Sequence, residues 1–295
     1  MSETRKDLAA LMESQGLSQS HVAKALGLSG ATVSQYLTGA YPGNISKVDE
    51  SVNAFLARCR EKKQIAKFSI PFVNTSVSKK IFEGARTCHT DCEMGICYGN
   101  AGIGKTISFK EYAARNPSVI FIEADLGYTS RDLFRELHKR LGMDARGTIH
   151  DMFDDCVAKL RNSERLIIVD EAEHLPYRAL DLLRRVYDKA GVGIFLGGMP
   201  RLKANLVGKR GEYAQLSSRI SMTVNLQSLN EHDTEEIVKA VLPLNKGIHQ
   251  TFHAVSKGNA RVLEKFLRRS IRLAEKNNCT ISEDIIKSAA EYLLL

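Results

Sequence analysis

The stretch Gly99-Asn100-Ala101-Gly102-Ile103-Gly104-Lys105-Thr106 constrains this chain more than any other part of it. It has the spacing G-x-x-x-x-G-K-[ST] of a phosphate-binding loop. The apolar run 94–98 before it reads as a buried strand and residues 105–114 after it as a helix, the context that the motif requires. Glycines let the backbone curl so that successive N–H groups point inward at phosphate oxygens, and the helix start adds its positive dipole end. Lys105 would set an ammonium against the β- and γ-phosphates, and Thr106 would offer a hydroxyl to magnesium.

A second anchor lies downstream. In Arg165-Leu166-Ile167-Ile168-Val169-Asp170-Glu171 four apolar residues predict a buried strand with two acids at its carboxyl end, the edge where open α/β sheets hold ligands. Asp170 would hold magnesium through water, and Glu171 would polarise an attacking water as general base. Strands are also expected at 118–124 and 193–198, and helices at 130–141 and 149–160. Such alternation signals a parallel sheet with crossover helices. From about Ser228 the chain reads as helical throughout, over 231–241, 248–255, 260–274 and 282–294.

Residues 1–63 read as a separate all-α domain. Ser18 is a candidate N-cap, Val22, Ala23 and Leu26 form an apolar helical face, Gly27 stands where a tight turn needs positive φ, and Ser29 can cap a following helix with Val33 and Leu37 inward. This helix-turn-helix pattern resembles the phage repressor and Cro family, whose second helix enters the major groove. Here it would present Gly30, Ala31, Thr32, Ser34 and Gln35 to DNA. That helix carries no Arg or Lys, so bidentate contacts to guanine are excluded from it, although Gln35 can read adenine. Weak binding with low sequence specificity is the expectation. Residues 64–75, with Pro71, read as a linker.

The formal net charge is +8, which suits a polyanionic partner such as double-stranded DNA. The basic excess is concentrated between Arg178 and Arg219, where nine Arg and Lys face three acids. Lys209 and Arg210, in an expected loop, are candidates for phosphate contact. The six cysteines lack the paired C-x-x-C spacing of a structural zinc site and read as reduced thiols. No run is long and apolar enough for a membrane span and no signal peptide is apparent, so a cytoplasmic protein is expected.

Together these parts resemble the AAA+ ATPases: an α/β core over 76–227 and a helical lid over 228–295. The resemblance makes Arg261, in Gly258-x-x-Arg261, a γ-phosphate sensor, and makes Arg219, in Ser218-Arg219-Ile220, a finger reaching the ATP of a neighbouring subunit. The order of domains further resembles the phage Mu transposition protein B family of target DNA activators. Its matching stretches include Asp170-Glu171-Ala172-x-His174-Leu175 and Ser270-Ile271-Arg272-Leu273-Ala274. The resemblance implies ATP and magnesium as cofactors, self-assembly into a helical oligomer on DNA, and delivery of that DNA to a partner transposase. An ATP-regulated transcription regulator and a helicase loader are the alternative readings. One departure stands out: Met199 occupies the place after the 194–198 strand where the family carries a polar residue, and a thioether orients water poorly.

Overall fold

The computed structural model describes residues 3–66 (61–66 by backbone alone), 70–208, 213–242 and 247–291. It divides into two compact units, residues 1–69 and 70–295.

The first unit contains α1 (Glu3–Gln15), α2 (Gln19–Leu26), α3 (Gly30–Thr38) and α4 (Ile45–Ala66). Their apolar faces close on one core of Leu8, Val22, Val33, Tyr36, Val52 and Leu56. Both expected caps form: Ser18 accepts from His21 N at 3.2 Å and Ser29 from Thr32 N at 3.0 Å. Gly27 takes φ 68° between α2 and α3, a left-handed conformation that a Cβ would oppose. The inward residues of α3 are Val33 and Tyr36, with Leu37 half-buried. Buried Tyr36 donates its hydroxyl to Asp49 of α4.

The expected linker is shorter than 64–75. Helix α4 continues through Ala66. From Ile70 the chain already belongs to the second unit, where Phe72 stacks on Phe82 at 5.8 Å and Thr75 accepts from Ser78 N as the N-cap of α5 (Ser76–Thr90).

After α5 come β1 (Met94–Tyr98), α6 (Lys105–Arg115), β2 (Val119–Glu123), α7 (Ser130–Arg140), α8 (Ile149–Leu160), β3 (Leu166–Asp170), α9 (Tyr177–Ala190), β4 (Gly193–Gly198), α10 (Arg201–Val207), α11 (Ala214–Ser217) and β5 (Ile220–Asn225). The five strands form a parallel sheet in the order β2-β3-β4-β1-β5. Side chains alternate between its faces. Ile96, Ile122, Ile167, Val169, Ile194 and Leu196 join Leu133, Phe134, Met152, Phe153, Leu183 and Val186 of α7–α9 in one buried cluster. On the opposite face Phe195 meets Phe109 of α6 edge-on at 5.9 Å. The lid follows as α12 (Glu231–Val241), α13 (His249–Ser256), α14 (Ala260–Lys276) and α15 (Glu283–Glu291). Buried Asp233 accepts from Ser76 N at 2.6 Å and Ser76 Oγ at 2.5 Å, so the lid is tied to the start of α5.

Helix α9 and strand β5 are among the elements that the sequence reading did not place. Helix α9 buries Ala179, Leu180, Leu183, Val186 and Ala190 at helical spacing, a period interrupted to the eye by its basic residues. Strand β5 alternates half-buried Ile220, Met222 and Val224 with exposed Ser221, Thr223 and Asn225, the pattern of an edge strand covered on one side.

The caps of the first unit carry a local prediction. Ser29→Ala removes the acceptor for Thr32 N, which costs about 1 kcal/mol. Hydrogen exchange should show the α3 amides losing protection by about fivefold, with the amides of the parallel sheet unchanged.

Candidate nucleotide site

Tyr98 ends β1, and the chain then turns through 99–104 into α6. Gly99 N donates to Gly198 O at 3.2 Å, which joins the loop's first residue to the end of β4. Gly102 and Gly104 take φ 78° and 102°, so the loop curls as the motif requires. The Lys105 ammonium donates to Gly99 O at 2.8 Å and Asn100 O at 2.9 Å, which holds it across the loop's opening. Burial pulls its pKa down, against the attraction of Asp170 and the acids beyond.

Asp170 stands at the end of β3, across β4 from the loop. Its Oδ2 accepts from Thr106 Oγ1 at 2.5 Å and its Oδ1 from Glu171 N at 2.9 Å. Burial raises its pKa, and the Thr106 and Glu171 hydrogen bonds oppose the rise. A hydroxyl and a carboxylate are hard oxygen donors of the kind magnesium takes, so these residues fit that ion. Glu171 is left-handed at φ 55°, ψ 31°. For a non-glycine residue this is a strained conformation, held by the turn Ala172–His174 that follows. It sets the Glu171 carboxylate, 43 % exposed, at the open edge of the sheet.

The lid reaches the loop through the start of α14. Asn259 Nδ2 donates to Ala101 O at 3.0 Å, and Arg261 N donates to Gly102 O at 3.1 Å. Asn259 Oδ1 also caps α14 by accepting from Val262 N at 3.1 Å. The sequence-named Arg261 therefore sits on the loop by its backbone, with an exposed side chain.

Residues 88–206 match the AAA domain family. The Mu-like prophage FluMu DNA transposition protein B of Haemophilus influenzae is 30 % identical over 238 residues, covering 78 % of this chain and 82 % of that protein. The chain belongs to the phage Mu transposition protein B family. The ATP-dependent target DNA activator B of Escherichia phage Mu is 27 % identical and spans 99 % of this chain and 96 % of its own length. Among solved structures, Cdc6p from Pyrobaculum aerophilum superposes with a TM-score of 0.60 at 13 % identity, over 77 % of this chain and 69 % of that one. That likeness establishes the AAA+ fold.

Within this transposition protein B fold, the structure unites Lys105, Thr106, Asp170, Glu171 and the backbone of Arg261. It keeps Arg219 away from them. Arg219 precedes β5, whose Ile220 pairs with Met94 at the start of β1, so it lies at the opposite edge of the sheet from the loop. Its Nε donates to Asp188 Oδ1 at 2.9 Å. The basic excess around it is largely occupied. Arg184 pairs with Asp181 and Asp188, and Arg185 with Asp181. Lys189 lies over the Phe153 ring and Lys203 over Tyr98. Lys209 and Arg210 fall outside the described residues. On α3, Gly30, Ala31 and Gln35 are exposed, while Thr32 and Ser34 are half-buried. Cys88 is buried, its thiol pushed up to about 12 by burial, and His89 is engaged with Tyr112 and Ser118.

Sequence reasoning missed Asn259, Glu173 and Arg201. Asn259 had the signal of an N-cap before a strongly amphipathic helix. Glu173 and Arg201 are distant in sequence and had none.

Asn259→Ala removes both the α14 cap and the bond to Ala101, while the Arg261 backbone bond remains. Loss of the cap alone costs about 1 kcal/mol. Titration with a fluorescent ATP analogue should show weakening of about fivefold. Unchanged affinity would mean that the backbone bond alone docks the lid.

Proposed function

We propose that this protein binds ATP with magnesium, hydrolyses it, assembles with further copies of itself on duplex DNA of little preferred sequence, and presents that DNA to a partner transposase which it activates. The observation that carries this reading is the convergence of Lys105, Thr106, Asp170 and Glu171 beside the docked start of α14. The name of the phage Mu relative, an ATP-dependent target DNA activator, supports the DNA and transposition side of it.

Each residue has a task set by its chemistry. The glycine-bent loop turns its N–H groups towards phosphate, and Lys105 can exchange its carbonyl partners for β- and γ-oxygens. Thr106 and Asp170 would hold magnesium, whose charge offsets that of the phosphates. Glu171 accepts the proton of the attacking water. The Arg261 guanidinium, exposed one helical step from the loop, would follow the γ-phosphate and carry the lid with it. Arg219 faces away from its own loop, which suits service at the ATP of a neighbouring subunit. Loss of the γ-phosphate then removes the charge that both arginines read, and the assembly loosens. The helix-turn-helix unit, with Gly30, Ala31, Thr32, Ser34 and Gln35, and the segment carrying Lys209 and Arg210 would supply the DNA contacts.

Binding to random duplex DNA with and without ATP tests this reading. A steep salt dependence with little sequence preference is expected. A large specificity ratio for one site would instead indicate an ATP-regulated transcription factor. Lys105→Ala should abolish ATP binding by calorimetry and ATP-dependent DNA binding with it. Glu171→Gln should retain ATP binding and lose turnover by about 100-fold or more. Its DNA-bound oligomers should outlast those of the wild type once free ATP is removed.

A further inference from the structure

Beside the nucleotide site lies a chain of polar groups to which no role has yet been assigned. Glu173 is completely buried, and neither carboxylate oxygen has a hydrogen bond. It is packed against the end of β4: a Cβ on Gly198 would stand 2.2 Å from its Oε2. Arg201, the first residue of α10, places its Nε 3.7 Å from Glu173 Oε1. The same guanidinium sets Nη2 at 3.1 Å from Nδ1 and 3.0 Å from Nε2 of His174. Near-equal distances to both ring nitrogens put Arg201 on the face of the imidazole rather than in its plane. His174 Nε2 also lies 3.4 Å from Glu171 Oε2. Asn205 Nδ2 fixes the base of the arrangement by donating to Glu173 O at 3.1 Å.

Glu171, Glu173 and His174 bring ligand atoms within 4.8 Å of one another, a set that suits a metal on its own. The guanidinium already supplies the positive charge there, and its seat on the ring opposes a second cation. The arrangement is better suited to orienting a side chain. Glu171 needs that, because its left-handed backbone and exposed carboxylate leave the acid's aim undetermined.

We propose that His174, clamped from behind by Arg201 and Glu173, is the positioning residue for Glu171. The proposal rests on the reading of Glu171 as general base for ATP hydrolysis. His174 Nε2, 3.4 Å from Glu171 Oε2, would hold the carboxylate by an N–H turned onto that oxygen, which leaves Oε1 for the attacking water. A misaimed base loses turnover and leaves substrate binding alone.

Steady-state ATP hydrolysis by the full chain on duplex DNA tests this. His174→Ala should lower kcat by about 100-fold with KM within about twofold. His174→Gln, which restores an amide donor, should recover most of that loss. Arg201→Ala should lower kcat in the same way. The double variant Glu171→Gln with His174→Ala should be no slower than Glu171→Gln alone, since His174 acts only through Glu171. Additive losses, a raised KM as the sole effect, or His174→Ala turning over at the wild-type rate or faster would each overturn the proposal while the ATPase reading stands. A wild-type protein that binds ATP and never hydrolyses it overturns that reading and this inference with it.

Discussion

The nucleotide site depends on the absence of side chains at the end of β4. Strand β4 lies between β1, which feeds the phosphate loop, and β3, which ends in Asp170. The loop and the acid can meet only across it. A Cβ on Gly197 would stand 2.3 Å from the Phe109 ring, and one on Gly198 would strike Glu173. Two bare residues thus admit Phe109 from one side and a buried carboxylate from the other. With that space filled, Thr106 and Asp170 lie at 2.5 Å, one at the start of a helix and the other at the end of a strand. Close packing against the glycines makes this position rigid, since interiors at this density have no slack to absorb an added methyl.

Burial acts on both charges of the site in the same sense. It disfavours the ammonium of Lys105 and the carboxylate of Asp170 alike, and each partly restores the other. Removing one partner would leave the other's charge uncompensated in a dry setting, where that is costly. Glu171 differs: it is open to solvent and strained at the backbone. The site therefore combines a buried pair that holds with an exposed acid that takes its aim from the turn after β3.

Much of this was legible from residues alone, because the relevant signals are local. The phosphate loop declares itself by glycine spacing. The acids at the end of β3 follow four consecutive apolar residues. The caps Ser18 and Ser29 around Gly27 define the turn between α2 and α3. What remained hidden required the folded chain. Glu173 and Arg201 meet only because β4 returns the chain beside the turn after β3. The basic segment counted from the sequence overstated a free surface, since Asp181 and Asp188 each bind two arginines within it. Pro71 suggested a linker where Phe72 and Thr75 in fact pack. Charge counts and loop formers report composition, whereas pairing and packing are properties of position.

Among the described residues, one of the two bonds between the lid and the phosphate loop runs from Arg261 N to Gly102 O, two main-chain groups. Every residue other than proline carries that N–H, so the joint is indifferent to which side chain stands at 261. The side chain at 261, and the charge it presents, can then be exchanged without breaking that bond.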